Sequence, residues 1–168
     1  MMICAMSAHH KYTNDTLVSS EMLCKAVEAI LTRIHLDRDH DIPYLAGYNV
    51  KRTKIYIDRH LEKSFTDHRG HRHDVDRFLI LHETTEKALI DCWSLHYQHA
   101  HQIALRAEEA AVRAAGIEWR DYDRFMQQWI KRADSDKVTK VPADLDLTPY
   151  IDENDGELIK AMQRAMVA

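Results

Sequence analysis

Two helical patterns follow each other with almost no chain between them, and each carries polar residues where its core-facing stripe should be apolar. An α-helix turns about 100° per residue, so residues three and four apart share a face. Over Val75 to Trp93 this spacing gathers Val75, Phe78, Leu79, Leu89, Ile90 and Trp93 into one apolar stripe. His82 and Glu86 fall in its middle, one turn apart, with Glu83 at its edge. Over His96 to Ala115 the stripe is Tyr97, Ala104, Leu105, Val112 and Ala115, and His101 and Glu108 sit at its centre. His96 and His99 point to the opposite, solvent side.

A carboxylate inside a core is costly unless it is paired or bound to a metal. The turn near Ser94–Leu95 is short, which predicts antiparallel neighbours. Counted from that turn, His82 and Glu108 lie at one level, and Glu86 and His101 lie somewhat nearer to it. All four can therefore converge in one small volume. Two imidazoles and a carboxylate are a common catalytic zinc set that leaves a position for water. The ion lowers the pKa of that water to about 7, and a nearby carboxylate can take its proton. The pattern thus predicts a divalent metal, zinc or another transition ion, on His82, Glu86 and His101. Glu83 is the expected general base. Glu108 is expected as a fourth ligand or as an acceptor that orients a histidine. The competing expectation is a structural network in which the same His/Glu pairs only hydrogen-bond.

Gly (4) and Pro (3) are scarce, which favours helices over a turn-rich β fold. A first helix is expected over Ser20 to Ile34, after a loose start at 1–13. His35 to Asp41 breaks that pattern. Ile42 to Tyr48 reads as a short extended piece, with Pro43 near an edge and Gly47 in a turn. Lys54 to Asp58 alternates and is β-branched and aromatic, so it reads as a strand. His60 to His73 reads as a polar loop. Asp74 is expected to cap the helix that starts at Val75, and Gly116 to end the one from His96. A third helix is expected over Glu118 to Arg132, an irregular connector over Asp134 to Asp152, and a last helix over Glu153 to Met166.

The segment Leu81-His-Glu-Thr-Thr-Glu86 resembles the HExxH helix of zinc metallopeptidases, with Glu in place of the second His. The resemblance implies His82 as a ligand, Glu83 as the base, Glu86 as the altered second ligand and His101 as the third. It also implies that Lys54–Asp58 is an edge strand along which a peptide substrate aligns. The stretch from Pro43 to Tyr122 further resembles small uncharacterised bacterial and phage proteins. They share a YIDR-like strand, HExxEKAL, AHxxA and a later Glu, here Tyr56 to Arg59, His82 to Leu89, Ala100 to Ala104, and Glu108. That second likeness implies no activity.

A net charge of −4, with Lys and Arg spread along the chain, gives no electrostatic case for nucleic acid. Residues 1–13 lack the apolar core of a signal peptide, and no segment approaches 18 apolar residues. A cytoplasmic protein with no membrane partner is expected, virion-associated if phage-encoded. Twelve histidines are about three times the usual share. His68, His71 and His73 fall in the polar loop, and His9-His10 near the start. Cys4, Cys24 and Cys92 are far apart with no CxxC pair, so each is expected as a small buried hydrophobe. Trp119, Tyr122, Phe125, Met126, Trp129 and Ile130 form the packing face of the third helix.

These readings define one mainly α, α+β domain over 1–168: a small sheet or hairpin packed by four to five helices, with an antiparallel pair carrying the site. The leading expectation is a zinc-dependent, peptidase-like hydrolase acting on peptide or protein. The alternative is a non-enzymatic bacterial or phage structural or binding protein that uses the same residues as a structural site.

Overall fold

The computed structural model describes residues 32–133 and 137–167. A three-stranded mixed sheet comes first: β1 (His35–Asp37), β2 (Ala46–Tyr48) and β3 (Lys54–Ile57). β3 lies in the middle, parallel to β1 and antiparallel to β2. A hairpin of β4 (Ser64–Thr66) and β5 (Arg72–Asp74) follows, then α1 (Asp76–Trp93), α2 (Tyr97–Ala114) and α3 (Trp119–Ala133). The chain continues through β6 (Val141–Pro142), α4 (Thr148–Asp152), α5 (Gly156–Ala165) and β7 (Met166–Val167), with β6 and β7 paired in parallel. The described residues form an α+β fold, mainly α.

The central place of β3 corrects the expectation drawn from the metallopeptidase likeness. Hydrogen bonds to β1 and β2 occupy both of its sides, so no peptide can add to it. Its residues Ile55, Tyr56 and Ile57 are buried, as a strand covered on both faces requires. Gly47 is inside β2 rather than in a turn. A Cβ there would stand 3.1 Å from Leu145 Cδ1, so close packing explains the glycine. The turn before β2 is made by Tyr44 and Leu45 instead, both at positive φ (64° and 73°).

Further expectations change. The polar stretch His60–His73 contains β4 and most of β5. Asp74 ends β5, paired with Ser64, and buried Val75 stands at the head of α1 with no side-chain cap. Asp74 Oδ1 still accepts from the Asp76 N–H at 3.1 Å. The connector after α3 holds β6 and α4, in a second core around Ile42, Tyr56, Val141, Leu145, Tyr150 and Met162. The first expected helix lies outside the described residues except for 32–34, which are not helical. Cys4, Cys24, His9 and His10 also lie outside them. Cys92 is exposed and Trp93 is 76% exposed, against the expectation that both would be buried.

α1 packs its length against α2. Ala100, Ala104 and Ala111 are buried on α2, and such small side chains let two helices approach closely. His96 caps α2, its Nδ1 accepting from the Gln98 N–H, and Gly116 follows the helix at φ 77°. Arg38, just after β1, grips Asp76 in the first turn of α1 through Nε (3.0 Å) and Nη2 (2.5 Å). That ion pair fixes the sheet to the helix that carries the site. Val75, Phe78 and Leu79 anchor the same end in the main core. Burying each of these side chains stabilises by about 1.5–3 kcal/mol.

Candidate metal centre

The close packing of α1 on α2 brings three ligand atoms together. His82 Nε2 stands 3.0 Å from His101 Nδ1 and 3.4 Å from Glu86 Oε2, and His101 Nδ1 stands 3.1 Å from Glu86 Oε2. An ion bonded tetrahedrally at about 2.0–2.1 Å needs its ligand atoms about 3.3 Å apart. The triangle therefore has the dimensions of one face of such a site. Among the described residues, His82, Glu86 and His101 are the one group of three His, Cys, Asp or Glu so arranged.

Each inner member of the triangle is held from behind. His82 Nδ1 faces Glu108 Oε2 at 2.7 Å, and a carboxylate can only accept, so Nδ1 carries a proton and Nε2 is the nitrogen turned to the cluster. Glu108 Oε1 accepts in turn from the Tyr122 hydroxyl on α3. Glu86 Oε1 accepts from the Tyr48 hydroxyl on β2 at 3.2 Å, which leaves Oε2 for the cluster. Lys87 lies over the Tyr48 ring, 4.9 Å from its centre, and pairs with Asp146 and Asp91. Glu108 is not in the triangle; it hydrogen-bonds His82 from behind. Such partners fix the tautomer and orientation of a metal-binding histidine.

The charge balance is unusual. Glu83, Glu86 and Glu108 are all buried. Among the described residues, no lysine or arginine bonds to any of them; their only ionic partners are His82 and His101. Burial alone would lower the His82 pKa, but hydrogen bonds to Glu108 and Glu86 and the Glu83 charge raise it well above 6.5. Burial raises the Glu86 carboxyl, yet His101 and His82 outweigh it and the pKa is lowered. Glu83 makes no hydrogen bond among the described residues. Burial first, then the charges of Glu86 and Glu108, push its pKa well above 4.5, with His82 opposing.

His82, Glu83, Glu86 and His101 open onto one cavity of about 500 Å³. The His101 side chain is 36% exposed, against 6% for His82 and 3% for Glu86, so the cluster is reached from the His101 side. Tyr44, Tyr97 and Tyr150 line the same space.

The periodicity located the four helical residues but not the tyrosines. Tyr122 read only as packing, and nothing in the pattern linked Tyr48 to Glu86. Tyr97 was detectable, because it precedes His101 by one turn. His68, His71 and His73 do not join the centre. They lie on or beside the β4–β5 hairpin, His68 bonded to Asp121, and His71 and His73 to Asp67. His96 and His99 are exposed, as expected. None of the described helices is long and apolar enough to cross a membrane. Comparison with family models, curated proteins and solved structures returns no match.

Proposed function

We propose that the chain is a metalloprotein in which His82 Nε2, Glu86 Oε2 and His101 Nδ1 hold one divalent ion, zinc being the best suited. One observation carries the reading: three ligand atoms at tetrahedral spacing, within a buried group of three carboxyl groups that no ammonium or guanidinium among the described residues neutralises. Mixed nitrogen and oxygen ligands in a four-coordinate space suit zinc. A zinc ion there would hold a water and lower its pKa to about 7.

Glu83 supports a hydrolytic role. It adjoins a ligand, lines the same cavity and makes no hydrogen bond among the described residues, and its raised pKa suits a group that takes up and holds a proton. The choice of an amide bond as target, and so of a peptide or protein substrate, rests on the likeness of His82–Glu86 to the metallopeptidase helix.

Metal analysis of untagged protein tests the first claim: about one zinc per chain is expected. A fully folded, metal-free preparation that takes up no added zinc would sink it. Glu83→Gln tests the second, and should keep the fold and the zinc while peptide hydrolysis is lost.

A second reading has its own support. One proton on His101 Nδ1 can be shared between Glu86 Oε2 and His82 Nε2, which lets the cluster stand as a structural network. This is the non-enzymatic binding or virion-associated protein, and under it Glu83→Gln changes little.

A further inference from the structure

We propose that the Tyr97 hydroxyl donates a hydrogen bond to the oxygen ligand that shares the cavity with the His82–Glu86–His101 cluster. The inference rests on the metal reading given above. Tyr97 opens α2 and stands four residues before His101, so the two side chains rise from one helical face. Their rings lie 5.4 Å apart, and the Tyr44 ring stacks on Tyr97 at 6.4 Å with 17° between planes. These contacts fix where the phenol sits, and it lines the cavity together with Glu83 and Glu86.

The hydroxyls of the neighbouring tyrosines are committed. Tyr48 donates to Glu86, Tyr122 to Glu108 and Tyr150 to the Pro43 carbonyl. The Tyr97 hydroxyl makes no hydrogen bond among the described residues. It is therefore open to an acceptor on a bound ligand, and one added hydrogen bond would strengthen that ligand's binding. A phenol is protonated at neutral pH, its ordinary pKa being about 10, so the hydroxyl is available as a donor. A fixed donor beside the ligand's oxygen is suited to an oxygen on which negative charge develops.

The test uses cobalt as a visible substitute for zinc and acetohydroxamate as the oxygen ligand. Wild-type and Tyr97→Phe protein are loaded with cobalt, and acetohydroxamate is titrated while the cobalt absorption is followed. The variant should hold cobalt as tightly as wild type, melt at the same temperature and bind acetohydroxamate about tenfold more weakly. Equal acetohydroxamate affinity in the two proteins would overturn the inference and leave the metal centre standing. Loss of cobalt from Tyr97→Phe would overturn it too, since the hydroxyl would then serve the ion and not the ligand. A wild-type protein that takes up no cobalt would remove the metal reading and this inference together.

Discussion

His82 Nδ1 donates to Glu108 Oε2 across 2.7 Å, from one helix of the pair to the other. The bond sets the tautomer of the most buried histidine in the cluster and aims its second nitrogen at His101 and Glu86. Glu108→Gln keeps the shape but replaces a charged acceptor with a neutral one. Zinc affinity should fall by about 10–100-fold. Tyr122→Phe, one step further out, should have a smaller effect in the same direction. Competition with a zinc-binding dye measures both.

The two histidines should differ in what their loss costs. His82 is deeply buried, and His82→Ala leaves the Glu108 carboxylate buried with Tyr122 as its remaining partner. A loss of about 3 kcal/mol in stability is expected, together with the loss of metal. The His101 side chain is 36% exposed, so His101→Ala should cost about 1 kcal/mol or less while still abolishing tight metal binding. Urea unfolding of the metal-free variants checks the difference. Equal costs would contradict the assignment of His101 to the open side.

Lys87 ties Asp146 to the wall of the site. Both are buried, and removing Lys87 leaves the Asp146 charge with only Thr148 as a partner, so Lys87→Met should destabilise by about 3 kcal/mol. Adding Asp146→Asn should recover part of the loss, because the stranded charge is gone. A double-mutant cycle by denaturant unfolding would show the coupling, and strict additivity would argue against the pair.

Asp41 gives a pH signature away from the metal centre. Burial raises its pKa, but the Thr139 N–H (2.7 Å), the Thr139 hydroxyl (2.9 Å), the Lys140 N–H (2.9 Å) and Arg59 outweigh this and lower it below 3.8. A lowered carboxylate pKa stabilises the fold above the unfolded value and loses that contribution as pH falls through the folded value. The stability gap between wild type and Asp41→Asn should therefore be constant above about pH 5 and shrink below about pH 4. Melting curves between pH 2 and 7 read it directly. A gap that widens in acid would reverse the sign of the assignment.

The helical hairpin was legible because burial repeats every third or fourth residue there, so His82, Glu86, His101 and Glu108 stood out as interruptions. The stripe tells which face is apolar but not where along it the covering surface ends. That is why Trp93, the last residue of the stripe, is exposed. The β4–β5 hairpin was hidden because its strands are three residues long and Arg72, His73 and Asp74 carry no apolar alternation. Tyr48 was hidden for a different reason. Glu86 needs a donor for its second oxygen, but that donor comes from a strand 38 residues earlier, and no local period encodes such a pairing.

His82 and His101 are 19 residues apart in the chain, with Glu86 between them. Closing so short a loop costs little entropy, so an unfolded chain can also chelate with these three groups. An ion that grips both the folded and the denatured chain adds less to folding stability than its affinity for the folded form suggests. Zinc should therefore raise the melting temperature less than its tightness implies, and part of it should stay with the chain after unfolding.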